Sequence, residues 1–442
     1  MQNLLATRFG RLLTFFLLYV TEGIPQGFAA VAIAFHMRKQ GLAPEEVGAY
    51  VATLYLPWAY KVIAGPVIDL IYSERLGKRR AWIVGCQLMM SLTLMMAWPV
   101  DFSTELRLFS LIIIVHNIFA ATQDVAIDAL AVSTLKEEER GVANGFMFAG
   151  AYTGNAIGGA GVLYLTAWIG FSNSFWLVAG SILVVTVLVS LRIREPRAAT
   201  PVAPPATDEH RQPPGGNPSV ARRARLYGWT LVRSMLGSVP AVAGFVFTLL
   251  PTGAFAIAMT LRNNLSAEFA LADSAVATIT LIGTVLAAIG CIAGGYLSDR
   301  IGRRTAIALF ALLTLIPTLA LAWHLQSHGW IMPVDTKSAK RPTPASGLVT
   351  AFIVWSFVYA LVLGLIYGSR TAGFMDITNP VVAATQFTAY MSLMNLTLAY
   401  SSYWQGWAVK WYGYPKMLVA DAVLGLICLI PLSLMSPRRK RA

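Results

Sequence analysis

Apolar residues run along this chain in long, nearly continuous stretches. Twelve of these are long enough to cross a bilayer, which takes about 20 mostly apolar residues per helix. Their approximate limits are 11–36, 45–71, 81–100, 106–132, 140–168, 172–193, 229–260, 270–298, 304–324, 347–369, 379–407 and 415–435. An outer-membrane barrel would show roughly 10-residue stretches of alternating polarity instead. The pattern predicts an all-α polytopic membrane protein with twelve transmembrane helices.

One segment interrupts the pattern. Residues 195–228 hold Pro196, Pro201, Pro204, Pro205, Pro213, Pro214 and Pro218 with several arginines. Such a stretch forms neither a spanning helix nor a packed core. It divides the chain into a six-helix bundle over 1–194, a cytoplasmic Pro/Arg-rich linker over 195–228, and a second six-helix bundle over 229–442.

The two parts share a signature. Gly65-Pro66-Val67-Ile68-Asp69 is followed by Gly77-Lys78-Arg79-Arg80, and Gly295-Tyr296-Leu297-Ser298-Asp299-Arg300 by Gly302-Arg303-Arg304. In both, Gly stands four residues before Asp, and a Gly with basic residues opens the next span. Gly permits close helix approach and a tight turn. The Asp sits at a helix end within reach of the arginines, a charge latch suited to gating one face. Gly65, Asp69, Arg79, Arg80, Gly295, Asp299, Arg300 and Arg303 are the candidate gate.

Basic residues set the orientation. Arg8 and Arg11, Arg75 and Lys78 to Arg80, the arginines from Arg192 to Arg225, Arg300 to Arg304, and Arg438 to Arg441 all fall on one side of twelve spans. The positive-inside rule makes that side the cytoplasm, with both termini there and the protein multi-pass in the inner (plasma) membrane. Lys337, Lys340 and Arg341 fall on the other side. No cleavable signal peptide is expected, because Glu22-Gly23-Ile24-Pro25 interrupts the first apolar run where a cleavage site would be sought.

Composition agrees. Of 442 residues, 56% are hydrophobic and 12% charged, about half the globular share of roughly 25%. That excludes a soluble multidomain chain. The net charge of +13 is already explained by loop-end arginines and lysines, so nucleic acid is not an expected partner. Cys86, Cys291 and Cys428 lie in spans without metal or disulfide spacing. The histidines are dispersed, so neither metal nor cofactor is expected. Isolated His36, His116, His324 and His328 argue against the competing reading, a membrane-embedded acyltransferase. No G-x-x-x-x-G-K-S/T stretch supports ATP hydrolysis. The chain is expected to be a monomer and not an enzyme.

Charges inside spans are functional by default. Glu22 stands eleven residues past Arg11, about 16 Å into the membrane at 1.5 Å per residue. It is a candidate proton carrier, or else a structural partner for Lys61. Lys61 can pair with a carboxylate, hold an anionic substrate, or snorkel to the surface near Asp69. Asp124 and Asp128 share one helix face at i and i+4, beside Gln123 and below His116 and Asn117. Two acids so close favour a shared proton. Gly150, Gly154 and Gly158 form a close-packing face, with Tyr152 and Asn155 between. Arg370 and Asp376 read as interfacial charges. Gln386, Tyr390 and Asn395, with Tyr400, Trp404 and Gln405, suffice to line a polar cavity.

The paired Gly-Asp-basic signature after spans two and eight resembles the major facilitator superfamily. Further stretches resemble its AmpG-like branch of muropeptide permeases, with related acetyl-CoA transporters and siderophore permeases. These are Leu56-Pro57-Trp58-Ala59-Tyr60-Lys61, Ala121-Thr122-Gln123-Asp124-Val125-Ala126-Ile127-Asp128, Glu138-Glu139-Arg140-Gly141 and Ala384-Thr385-Gln386-Phe387. Residues 389–395 look equally like the acetyl-CoA transporters. The resemblance implies two bundles with a site between them. It also implies symport of a polar or anionic solute with protons, here muropeptide uptake, with Gln123, Asp124, Asp128 and Lys61 functional. Acetyl-CoA-like or siderophore transport, and drug or metabolite efflux, remain alternatives within the same fold.

Overall fold

The computed structural model describes residues 3–40, 50–195 except 52, 55 and 74, 220–334 except 259, and 342–435. Most of the expected linker, the loop with Lys337, Lys340 and Arg341, and Arg438–Arg441 lie outside the described residues. The described residues are mostly helical. The long helices are α1 (Arg8–Gly27), α2 (Ala64–Leu70), α3 (Arg80–Ala97), α4 (Leu106–Thr134), α5 (Arg140–Ala156) and α6 (Asn173–Leu188). After the linker come α7 (Val220–Leu236), α8 (Val239–Thr248), α9 (Asp273–Ile301), α10 (Arg303–Leu313) and α11 (Leu315–Ser327). α12 (Ser346–Ile377), α13 (Ala383–Gly425) and α14 (Leu429–Leu434) complete it.

Eight helices among the described residues are long and apolar enough to cross a membrane, or nine with one bent pair counted as a span. They cover the expected spans except those over 45–71, 140–168 and 229–260. The expected span over 140–168 is divided by a π-helix at Ile157–Gly161, and the other departures have local causes too. The expected span over 45–71 is broken. Pro66 has no N–H and its ring clashes with the carbonyl four residues back, and Lys61–Ile63 tightens into a 3-10 turn just before α2. The expected spans over 379–407 and 415–435 run on as one helix. They part at Gly413, whose φ of +80° only glycine adopts readily, and at Pro415.

The expected span over 229–260 is misplaced. α7 begins at Val220, inside the segment expected as linker, and stands at 79° to α8. α8 starts afresh at Ser238, whose side chain caps the Ala241 amide. Beyond α8 the chain unwinds. The Asp421 carboxylate accepts the Phe255 and Ala256 amides at 2.7 and 2.8 Å, and Gln405 donates to its other oxygen. A backbone left open inside lipid would be costly without such partners.

Packing depends on small residues. In α1, Pro25 removes a helix hydrogen bond, and the next turns widen to a π-helix over Phe28–Ile33. There α1 lies backbone-to-backbone on α5. A Cβ on Gly27 would strike the Asn155 carbonyl; one on Gly154 or Gly158 would strike those of Val20 or Ile24. The face of Gly150, Gly154 and Gly158 is therefore a packing face. The seam continues. Gly141 and Gly145 of α5 lie on the Gly295 and Cys291 carbonyls of α9, and Gly364 and Gly368 of α12 lie on α9's Ala287 and Cys291. The outer surface instead presents large apolar side chains such as Val184, Val187, Val285, Ile289 and Ile316, as lipid contact requires.

Replacing Gly154 or Gly158 with leucine should lower the melting temperature of the purified protein by several degrees, an overpacking cost of about 1–3 kcal/mol or more. Gly180→Ala, where a Cβ meets nothing within 4 Å, should leave it unchanged. Equal melting of all three would mean the seam does not hold the fold.

Candidate functional site

The 3-10 turn at Lys61 aims its side chain at α4 rather than at the surface. Lys61 is 6% exposed, and its Nζ donates to Asp124 Oδ2 at 2.7 Å. It does not snorkel. One turn on, Asp128 accepts the Tyr19 hydroxyl at 2.5 Å. The Glu22 carboxyl from α1 meets that of Asp124 and leaves its Oε2 with no hydrogen-bond partner. Three carboxyls and one ammonium are thus buried together where α1, the broken second span and α4 converge. The group therefore holds more acids than bases in a setting shut away from water.

Other candidates go elsewhere. Gln123 donates to Thr21 at 3.2 Å, in a buried network with Gln87, Thr186 and Ser190. His116 and Asn117 make contacts to Met90, Thr93 and Ile113. Tyr152 is half-buried on α5, and the backbone of Asn155 lies on Gly27. Gln386 and Tyr390 do not line a cavity. Gln386 binds the Asn379 amide, the Ser234 carbonyl and the Tyr390 hydroxyl, and Tyr390 stacks on Phe374. Both are fully buried, because the turn between α12 and α13 needs its backbone groups satisfied. Asn395 is exposed. Arg370 is 4% exposed, which corrects its reading as interfacial.

The two glycine-aspartate copies meet the opposite part of the chain in the same way. Asp69 binds Arg79 at 2.5 Å and accepts the Thr385 amide at 3.0 Å and the Thr385 hydroxyl at 3.1 Å. Tyr227 of α7 also donates to it. Asp299 pairs with Arg303 and accepts the Gly141 and Val142 amides at 3.0 and 2.8 Å. Each carboxylate therefore caps the first turn of a helix across the molecule, α13 for Asp69 and α5 for Asp299, where N–H groups and helix dipole favour an anion. Gly65 lies against Thr385 and Gly295 against Gly141, so neither position admits a Cβ. Asp376 bridges Arg140 and Arg303 at 2.9 and 3.2 Å.

Arg300 is exposed and stacks on Tyr296 at 4.4 Å, outside this latch. Arg80 offers only its amide, with that of Arg79, to Glu195. At the same face Arg11 chelates Glu139 at 2.5 and 2.7 Å. Burial disfavours the Glu139 charge, but the arginine outweighs it and holds the carboxyl below its usual range. Partial burial and neighbouring Arg79 push the Lys78 ammonium below the ordinary lysine value. A cavity of about 900 Å³ opens beside Asp299, Arg303 and Asp376, separate from the Lys61 cluster. Thr385, Tyr227 and Tyr19 were not among the sequence candidates. A hydroxyl within an apolar run carries no signal of its own; only the neighbouring carboxylates would have prompted a search for donors.

The sequence profile of the Major Facilitator Superfamily matches residues 12–335. The chain belongs to the major facilitator superfamily. It is similar to the anhydromuropeptide permease of Escherichia coli (strain K12), 23% identical over 417 residues, covering 92% of this chain and 77% of that one. A putative transporter AmpG 4 of Rickettsia conorii is 26% identical over 184 residues, 40% of this chain and 44% of its own. The E. coli fucose:proton symporter shares the fold at a TM-score of 0.58 and 12% identity, over 98% of this chain and 99% of that one. The proton:xylose symporter XylE does so at 0.61 and 12%, over 98% and 97%. This facilitator is thus an AmpG-like, multi-pass membrane transporter.

Lys61→Met or Asp124→Leu alone should strand a buried charge and destabilise the purified protein by about 3–5 kcal/mol. The two together should recover most of that loss in denaturant melts. Simple additivity of the two losses would rule out the pairing.

Proposed function

We propose that this facilitator is a proton-coupled symporter that imports a polar or anionic solute by alternating access, with anhydromuropeptide as the solute. The observation that carries this reading is the burial of Glu22, Asp124 and Asp128 around the single ammonium of Lys61. Sites with surplus acid bind and release protons as their access to water changes. The name of the E. coli relative supports the choice of solute. Residues 1–194 and 229–442 act as the two rocking bundles, with the linker between them. Asp69, Arg79, Asp299 and Arg303 gate the face that carries the basic loops, which faces the cytoplasm.

Uptake of anhydromuropeptide into proteoliposomes tests both parts. An imposed inward proton gradient should raise the initial rate by about tenfold or more, and Glu22→Gln and Asp124→Asn should each remove that stimulation. Gradient-independent uptake in the wild type, or normal gradient-driven uptake in both variants, would overturn the proton role. Gradient-driven uptake of another solute alone would overturn the solute.

A further inference from the structure

Three arginines are buried among the described residues: Arg11, Arg79 and Arg370. Arg11 holds Glu139 and Arg79 holds Asp69. Arg370, in α12, makes no ion pair among the described residues. Its Nε has no hydrogen-bond partner. Its guanidinium reaches only the Thr252 hydroxyl, at 3.4 Å, the outer limit of a hydrogen bond. Otherwise it stacks on the Tyr367 ring at 4.7 Å. Tyr152 and Tyr359 lie within its field. Asp421, which also acts on Tyr359, is already taken by the Phe255 and Ala256 amides and Gln405.

A guanidinium keeps its charge in any protein setting. Burying one at membrane depth without an acid is expensive and marks a site that something else completes. Tyr152 belongs to α5, whereas Thr252, Tyr359 and Tyr367 lie beyond the linker. The Tyr367 ring on which the guanidinium stacks meets the Phe148 ring of α5 at 5.4 Å, so the charge stands where the two parts of the chain meet.

We propose that Arg370 is the residue that binds an oxyanion of the transported solute, a carboxylate or a phosphate, through its open Nε–H and the adjoining guanidinium nitrogens. The inference rests on the symport reading and adds to it. The acid-rich cluster around Lys61 handles protons, and Arg370 handles the negative charge of the solute. A planar guanidinium grips such a group with two parallel hydrogen bonds, which a lysine cannot reproduce. The Tyr367 ring, 4.7 Å from the guanidinium, walls one side of the place where the oxyanion sits.

Thermal melting of the full-length protein in neutral detergent tests this with four probes. These are an anhydromuropeptide, the same compound with its carboxyls amidated, inorganic phosphate, and sodium chloride at matched ionic strength. In the wild type the anhydromuropeptide or phosphate should raise the melting temperature, by mass action, well beyond the amidated compound and chloride. Arg370→Gln should weaken the response to the anionic probe by about tenfold or more and leave the response to the amidated compound unchanged. Arg370→Lys should fall between the two. A purely structural role would depress all four responses together.

Wild-type-like selectivity in Arg370→Gln would overturn the proposal, as would the absence of stabilisation by either anion in the wild type. Should Arg370→Gln fail to fold, undiminished selectivity in Arg370→Lys overturns it equally. Phosphate stabilisation lost in Arg370→Gln, with anhydromuropeptide inert throughout, upholds the oxyanion site and sinks the muropeptide reading. Anhydromuropeptide stabilising both proteins alike does the reverse.

Discussion

The fold depends on the approach of helix backbones with no side chains between them. Inside a bilayer, lipid tails are as apolar as leucine, so burying leucine against leucine gives little drive to assemble. Close backbone contact restores a drive through dispersion and weak Cα–H···O bonds. The glycine seam that runs from α1 through α5 and α9 to α12 supplies it. It joins the segments on either side of the linker, so it sets the register in which Asp299 meets Gly141 and Phe148 meets Tyr367.

That frame explains why charges can be held inside. Lys61 and Asp124 are tolerable at their depth because three elements wrap them and a 3-10 turn points the ammonium inward. The molecule is electrically lopsided. Acid exceeds base beside α4, and a lone guanidinium stands in α12.

Most of the architecture was legible in the sequence because lipid imposes a simple rule: a spanning backbone must close its hydrogen bonds as a helix or a barrel, and long continuous apolar runs fit only the helix. The i and i+4 spacing of Asp124 and Asp128 put them on one face, and the repeated Gly-Asp-basic run marked both latches. Breaks were less legible. The 79° corner before α8 follows from an amphipathic helix, Val220–Leu236, that borders a proline-rich stretch and reads as part of it. The Thr385 partner of Asp69 was hidden too, because an amide and a hydroxyl 316 residues away leave no mark on local composition. Arg370 misled for a similar reason. α12 is apolar on every side, so nothing in its pattern says which face meets protein.

The swapped caps of Asp69 and Asp299 have a corollary. Each half finishes the other's helix, so parting the halves would orphan amide groups at two helix starts and leave each carboxylate to the arginine of its own half. Bulk water must arrive as they leave, or the separation carries the full penalty of bare dipoles in oil. Any opening of that face is therefore easier where water can reach the rim.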